Sequence, residues 1–147
     1  MTQSVYVKLV LILAGVIGIS VGIGQLFFPV TFEASAGIRV AGETNLLSEI
    51  RAAGGTLLLA GIVMLFGAFK PSSTDFALSL AVLFYLAYGL SRSYGMVIDG
   101  IPSQSLVMVT IVEIVIGLAA YVSYAMRRKG RLFLFGRSND SPSDSTQ

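Results

Sequence analysis

Four ionisable side chains stand inside or at the rim of long apolar runs: Glu49, Arg51, Arg92 and Glu113. Charges in such runs are rare, because hydrocarbon cannot solvate them, and they turn towards one another or towards a wet cavity. Their available chemistry is narrow. They can pair as ions, hydrogen-bond a polar ligand, or carry a proton on a carboxylate. Two phenols, Tyr85 and Tyr88, precede Arg92 at helical spacing and add donors to the same face. The chain has no cysteine and no histidine. That excludes disulfides, thiolate metal sites, histidine-held haem, and catalysis by either side chain. We assign no catalytic residue, no metal site and no cofactor.

Helical periodicity sets the direction of each charge. Glu49 shares a face with Ala52, Ala53, Thr56, Ala60 and Gly67, which are small and suit a helix contact. Arg51 is rotated by about 200° from Glu49 at 100° per residue. It points to a membrane surface, by snorkelling, or to another subunit. Arg92 aligns with Ala81, Tyr85, Tyr88 and Gly89, and Glu113 with Thr110, Gly117, Ala120 and Tyr124. In antiparallel spans Glu49 and Arg92 each lie about one to one and a half turns inside the same rim. A Glu49–Arg92 ion pair is therefore expected. Glu113 lies about 15 Å inside its span, near the bilayer centre, with Arg51 or Arg92 reaching part of the way to it. Two readings follow. The groups hold the helices in register, or Glu49, Arg51, Tyr85, Tyr88, Arg92 and Glu113 border a polar pocket.

The elements that would position these residues are four membrane-spanning helices. The chain is 54% hydrophobic and 12% charged, with mean hydropathy +0.81. A soluble domain carries about twice that charged fraction. The apolar residues fall in blocks at 6–28, 46–69, 75–97 and 104–126. At 1.5 Å per residue each is long enough to cross a hydrocarbon core of about 30 Å. The first block is longer than a signal-peptide core of about 7–15 residues, so it is read as a retained span even though Ala34-Ser35-Ala36 resembles a cleavage site. Pro29, the Lys70-Pro71 pair and the Asp99-Gly100 turn with Pro102 separate the blocks. A connector, Val30 to Asn45, is polar and partly helical or interfacial. Gly15, Gly18 and Gly22 form one stripe, and Gly54, Gly55 and Gly117 are further places where backbones can approach closely. Residues 1–130 thus make one four-helix transmembrane domain, and 131–147 a basic to polar cytoplasmic tail without fixed structure.

Lys8, Lys70 and the basic run from Arg127 to Arg131 fall at one end of the alternating spans, whereas Glu33, Glu43 and Asp99 oppose only Arg39 at the other. The positive-inside rule then places both termini in the cytoplasm, in a multi-pass protein of the cell (inner) membrane. The basic residues at span ends set topology, and the net charge of +2 does not indicate nucleic acid.

Glu49-Ile50-Arg51-Ala52-Ala53-Gly54-Gly55 resembles the E-[LI]-R-A-x-G-G signature at the second helix of a small bacterial membrane family, domain-of-unknown-function family 4345. Arg92, Asp99-Gly100 and Pro102 fit the same pattern. A weaker likeness is to DoxX-type four-helix proteins. The first resemblance implies an integral membrane bundle and no defined activity. The second implies, at most, a quinone-linked membrane oxidoreductase component, whose redox group would have to come from a partner.

The functional expectations rank accordingly. The first is a non-enzymatic accessory or scaffold component, in contact with the lipid bilayer and with copies of itself or a membrane-complex partner. The second is a binder or carrier of a small solute or lipid-like ligand in the pocket between the second, third and fourth spans. The oxidoreductase reading comes last.

Overall fold

The computed structural model describes residues 4–40 and 42–139. In chain order it contains α1 (Val5–Phe27), α2 (Pro29–Ser35), α3 (Thr44–Phe69), a single 3-10 turn (Pro71–Ser73), α4 (Thr74–Ile98) and α5 (Gln104–Asn139). There is no strand among the described residues. Four helices are long and apolar enough to cross a membrane.

Helix boundaries follow local chemistry. Pro29 cannot continue α1 and instead opens α2, where its missing N–H costs nothing. The connector after α2 turns at Gly37 and Gly42, both at positive φ, a region that side chains with a Cβ avoid. Pro71 similarly ends α3 after Phe69, and Gly100 at φ 101° allows the turn between α4 and α5. α5 runs beyond the expected end at 126 and continues through Arg127, Arg128 and Lys129 to Asn139. Arginine and lysine are good helix formers, and no proline lies before Asn139 to stop them. Of the expected unstructured tail, 131–139 are helical and 140–147 lie outside the described residues.

The bundle consists of two antiparallel pairs. α1 packs along α3, and α4 along α5. Glycine creates both seams. A Cβ on Gly22 would lie 2.5 Å from Leu58 N and 2.8 Å from Gly54 O, and one on Gly61 2.6 Å from Ile19 N. Only backbone without side chains can meet so closely. In the second pair, Gly89 accommodates Ile114, and Gly117 accommodates Leu86. Gly55, in contrast, faces open space.

The pairs join at the end carrying the 3-10 turn. There Gly67 packs against Ala77, and buried Thr74 donates its hydroxyl to Gly67 O at 3.0 Å. Leu11, Ala14, Met64, Ala68, Leu78, Ala81 and Ala120 form the core between them. At the same end Lys8 lies over the Phe69 ring at 4.9 Å, and Arg127 pairs with Asp75 at 2.8 Å. At the opposite end the pairs diverge.

Candidate functional site

Where the two pairs diverge they leave a partly open cavity of about 360 Å³. α1 contributes Ile17, Gly18, Val21 and Gln25, α3 contributes Leu57, Ala60, Gly61 and Met64, and α4 contributes Phe84, Tyr85, Tyr88 and Arg92. α5 supplies Met108, Val109, Val112 and Glu113, and α2 with the connector after it covers the end through Phe32, Glu33 and Ala36. The wall is mostly hydrocarbon and aromatic, with polar groups gathered towards α2.

The central polar contact is between Arg92 and Glu113, whose Nε and Oε2 lie 3.3 Å apart. This corrects the expected Glu49–Arg92 pair. Equal depth along antiparallel helices did not decide the partner; helix pairing did. Gly89 lies one turn before Arg92, and a Cβ there would come within 3.5 Å of Glu113 Cβ. The absence of that Cβ brings the α4 backbone against α5 at the level of Glu113. α3 is instead held by α1, and Glu49 is exposed and lines no part of the cavity.

Arg51 also lies outside the cavity. Its Nη1 donates to Leu26 O, a carbonyl in the last turn of α1 that has no partner within its own helix. A cation there complements the negative end of the α1 dipole. Two of the expected pocket residues, Glu49 and Arg51, therefore sit elsewhere, while Tyr85, Tyr88, Arg92 and Glu113 share the cavity. Tyr85 is buried, and its hydroxyl donates to Ala14 O at 2.6 Å, joining the two pairs across the cavity floor.

Sequence reasoning missed Gln25 and Glu33 as cavity residues. Gln25 Nε2 donates to Glu33 Oε1 at 3.2 Å, and Glu33 is only 8% exposed. The available signal was Pro29 between them. A helix stopped there and restarted at once folds back on itself, bringing a residue just before the break to one just after it. Met64 and Phe32 escaped notice because apolar side chains give no sign of lining a cavity rather than a core.

The polar end is incompletely paired. Gln25 Oε1, Arg92 Nε and Glu113 Oε2 are buried without a hydrogen-bond partner, the last two being close enough to attract but not aligned to bond. Such atoms are uncommon in native interiors. They offer one N–H donor and two oxygen acceptors to whatever occupies the cavity. A second, smaller cavity of about 220 Å³ lies beside the α4–α5 turn and is lined by Arg92, Asp99, Pro102 and Thr110, so Arg92 forms a wall of both. No group of three or more histidine, cysteine or acidic side chains that could hold a metal occurs among the described residues.

This architecture defines the class: among the described residues, an all-helical bundle with four helices long enough to span a membrane and a partly open cavity of about 360 Å³ between its halves. The family model described as Domain of unknown function (DUF4345) matches residues 6–124, and the chain belongs to that family. The match covers the first three apolar blocks and all but the last two residues of the fourth, and carries no DoxX-type likeness with it. No curated protein and no solved structure matches the chain.

Proposed function

We propose that the chain is a multi-pass protein of the bacterial inner membrane, with both termini cytoplasmic, that binds a small organic molecule in the cavity between its helix pairs. The observation that carries this reading is the cavity of about 360 Å³ ending at a misaligned Arg92–Glu113 pair with unpartnered polar atoms. A register device needs no empty volume beside its ion pair. A binding site has that volume, an apolar wall and a few convergent polar groups. The orientation rests on Lys8, Lys70 and Arg127 gathering at one end, by the positive-inside rule.

The test is native mass spectrometry of the protein released from mild detergent. A retained mass is expected on the natural chain and not on Met64→Trp, which puts an indole into the cavity from the α3 wall. Equal, ligand-free masses for both would refute the reading.

A non-enzymatic scaffold role is the second reading, favoured by α5. Only 17% of its most apolar stretch is buried, against 33% or more in the other three spans. A dimeric mass in the same spectra, lost on Leu118→Arg in the exposed face of α5, would support it.

A further inference from the structure

The cavity has walls of unequal exposure. No lining residue of α3 or α4 is exposed. The α1–α3 and α4–α5 seams are closed by glycine contacts, and the Tyr85–Ala14 bond crosses the floor. The remaining end is roofed. Gln25 ties α1 to Glu33 of α2, Ser103 Oγ donates to Ala36 O at 2.7 Å, and Pro29 is buried beneath. The exposed part of the wall lies on α5, including Ser105, and at Ser35 and Ile38 at the end of α2 and in the connector. Met108, Val109 and Val112 line the cavity while being 55%, 41% and 41% exposed. Across from them, on α1, stand Ile17 and Val21. Apart from Ser35 and Ser105, the exposed lining is apolar, and on α5 it lies on the flank of the bundle, the side that a bilayer would cover.

The polar end also has a definite charge preference. It holds two carboxyl groups, Glu33 and Glu113, and one guanidinium, Arg92. An anionic headgroup would meet an excess of carboxylate. A cationic one would find Glu113 already beside Arg92 and Glu33 already bonded to Gln25. Arg92 Nε and Glu113 Oε2 attract across 3.3 Å without an aligned hydrogen bond, and Gln25 Oε1 has no hydrogen-bond partner; a hydroxyl can accept from the first and donate to either oxygen without adding charge to the pair.

We propose that the cavity takes an amphiphile with an uncharged, hydroxyl-bearing head directly from the bilayer, through the side of the cavity where the exposed Met108, Val109 and Val112 of α5 face α1. The proposal rests on the cavity being a binding site and adds the ligand's class and route. The head sits at Arg92 and Glu113, and the chain of the amphiphile leaves between Ile17 or Val21 and Val109 or Val112. The hydroxyl completes a polar group that the fold leaves half-paired, which gives it an advantage over a plain alkane.

The experiment uses the full chain in phosphatidylcholine nanodiscs with a photoactivatable monoacylglycerol carrying a diazirine in its acyl chain. After irradiation, the label is expected on peptides of α1 and α5 and is competed by unlabelled monoacylglycerol, not by lysophosphatidate or sphingosine. The chain has no cysteine, so Val21→Cys with Val109→Cys can be joined by a flexible bis-maleimide after folding. Joining before the probe is added should reduce labelling at least tenfold, relative to the unjoined double variant. Joining after it should retain the probe through washing. Undiminished labelling in the joined protein overturns the lateral route, and stronger labelling by the phosphate or amine probe overturns the uncharged head. If native mass spectrometry shows a retained molecule while the monoacylglycerol probe leaves the cavity unlabelled, binding stands and this assignment of class fails.

Discussion

Replacing Gly22 by alanine should separate α1 from α3, whereas the same change at Gly55 should not. The added Cβ at Gly22 would stand 2.5 Å from Leu58 N, 2.7 Å from Leu58 Cα and 2.8 Å from Gly54 O. All are backbone atoms within a helix and cannot swing aside. Ordinary contact begins at 3.4 Å, so the backbones must part by the difference between 3.4 and 2.5, about 0.9 Å. A gap of about 0.5–1 Å forfeits roughly a quarter to a half of each dispersion contact along the seam. With overpacking typically costing about 1–3 kcal/mol, Gly22→Ala belongs at the upper end, about 3 kcal/mol. Gly55→Ala meets nothing within 4 Å. It should be neutral or slightly stabilising, by up to about 1 kcal/mol from helix propensity. Gly18→Ala, whose nearest atom is Gly61 Cα at 3.2 Å, should fall between. The assay is thermal loss of the monodisperse peak in size-exclusion chromatography, in one detergent, for all three variants. Equal midpoints for Gly22→Ala and Gly55→Ala would refute the argument that the α1–α3 seam is set by backbone contact.

Removing one member of the Arg92–Glu113 pair should destabilise more than removing both. Losing a fully buried partner costs about 3–5 kcal/mol. With side-chain exposures of 32% and 13%, Arg92→Gln or Glu113→Gln alone should cost about 1–3 kcal/mol after solvent screening, and the double variant less than either, measured by the same thermal assay. Glu49→Ala should change stability by no more than about 0.5 kcal/mol, as for other exposed positions, and loss of protein accumulation would contradict its placement. Tyr85→Phe removes the hydroxyl bonded to Ala14 O and should cost about 1 kcal/mol. Arg127→Ala should cost less than about 1 kcal/mol, and salt should shrink the difference, because its pair with Asp75 is partly solvated.

Hydropathy made the four spans legible, because a run of some twenty apolar residues has few other uses. The turns were legible too, since Pro29, Pro71 and Gly100 each act on their own backbone. Partner choice was not. Glu49 and Arg92 lie at similar depth, and periodicity gave each an inward face, yet depth and face do not say which helix is adjacent. That depended on Gly89 and Gly117 drawing α4 to α5, and Gly22 and Gly61 drawing α1 to α3. The exposure of Glu49 follows from that pairing, as does the Arg51 contact to the end of α1. Four of the expected pocket residues were placed together because three of them share one face of one helix. Gln25 and Glu33 were missed because their meeting depends on a reversal of the chain. The cavity itself is a difference between packing surfaces, which no single segment encodes.

The arrangement in sequential pairs also orders the birth of the molecule. α1 and α3 carry their whole seam within the first half of the chain, so they can dock while α4 is still being synthesised. α4 and α5 then form a second hairpin with its own seam. Neither hairpin alone contains the cavity, since each supplies only part of its wall. The cavity is complete only when both hairpins are docked. A defect in the α1–α3 seam reaches the cavity directly through Gly18 and Gly61, which belong to both, whereas the Tyr85–Ala14 bond depends on the fit between the two halves.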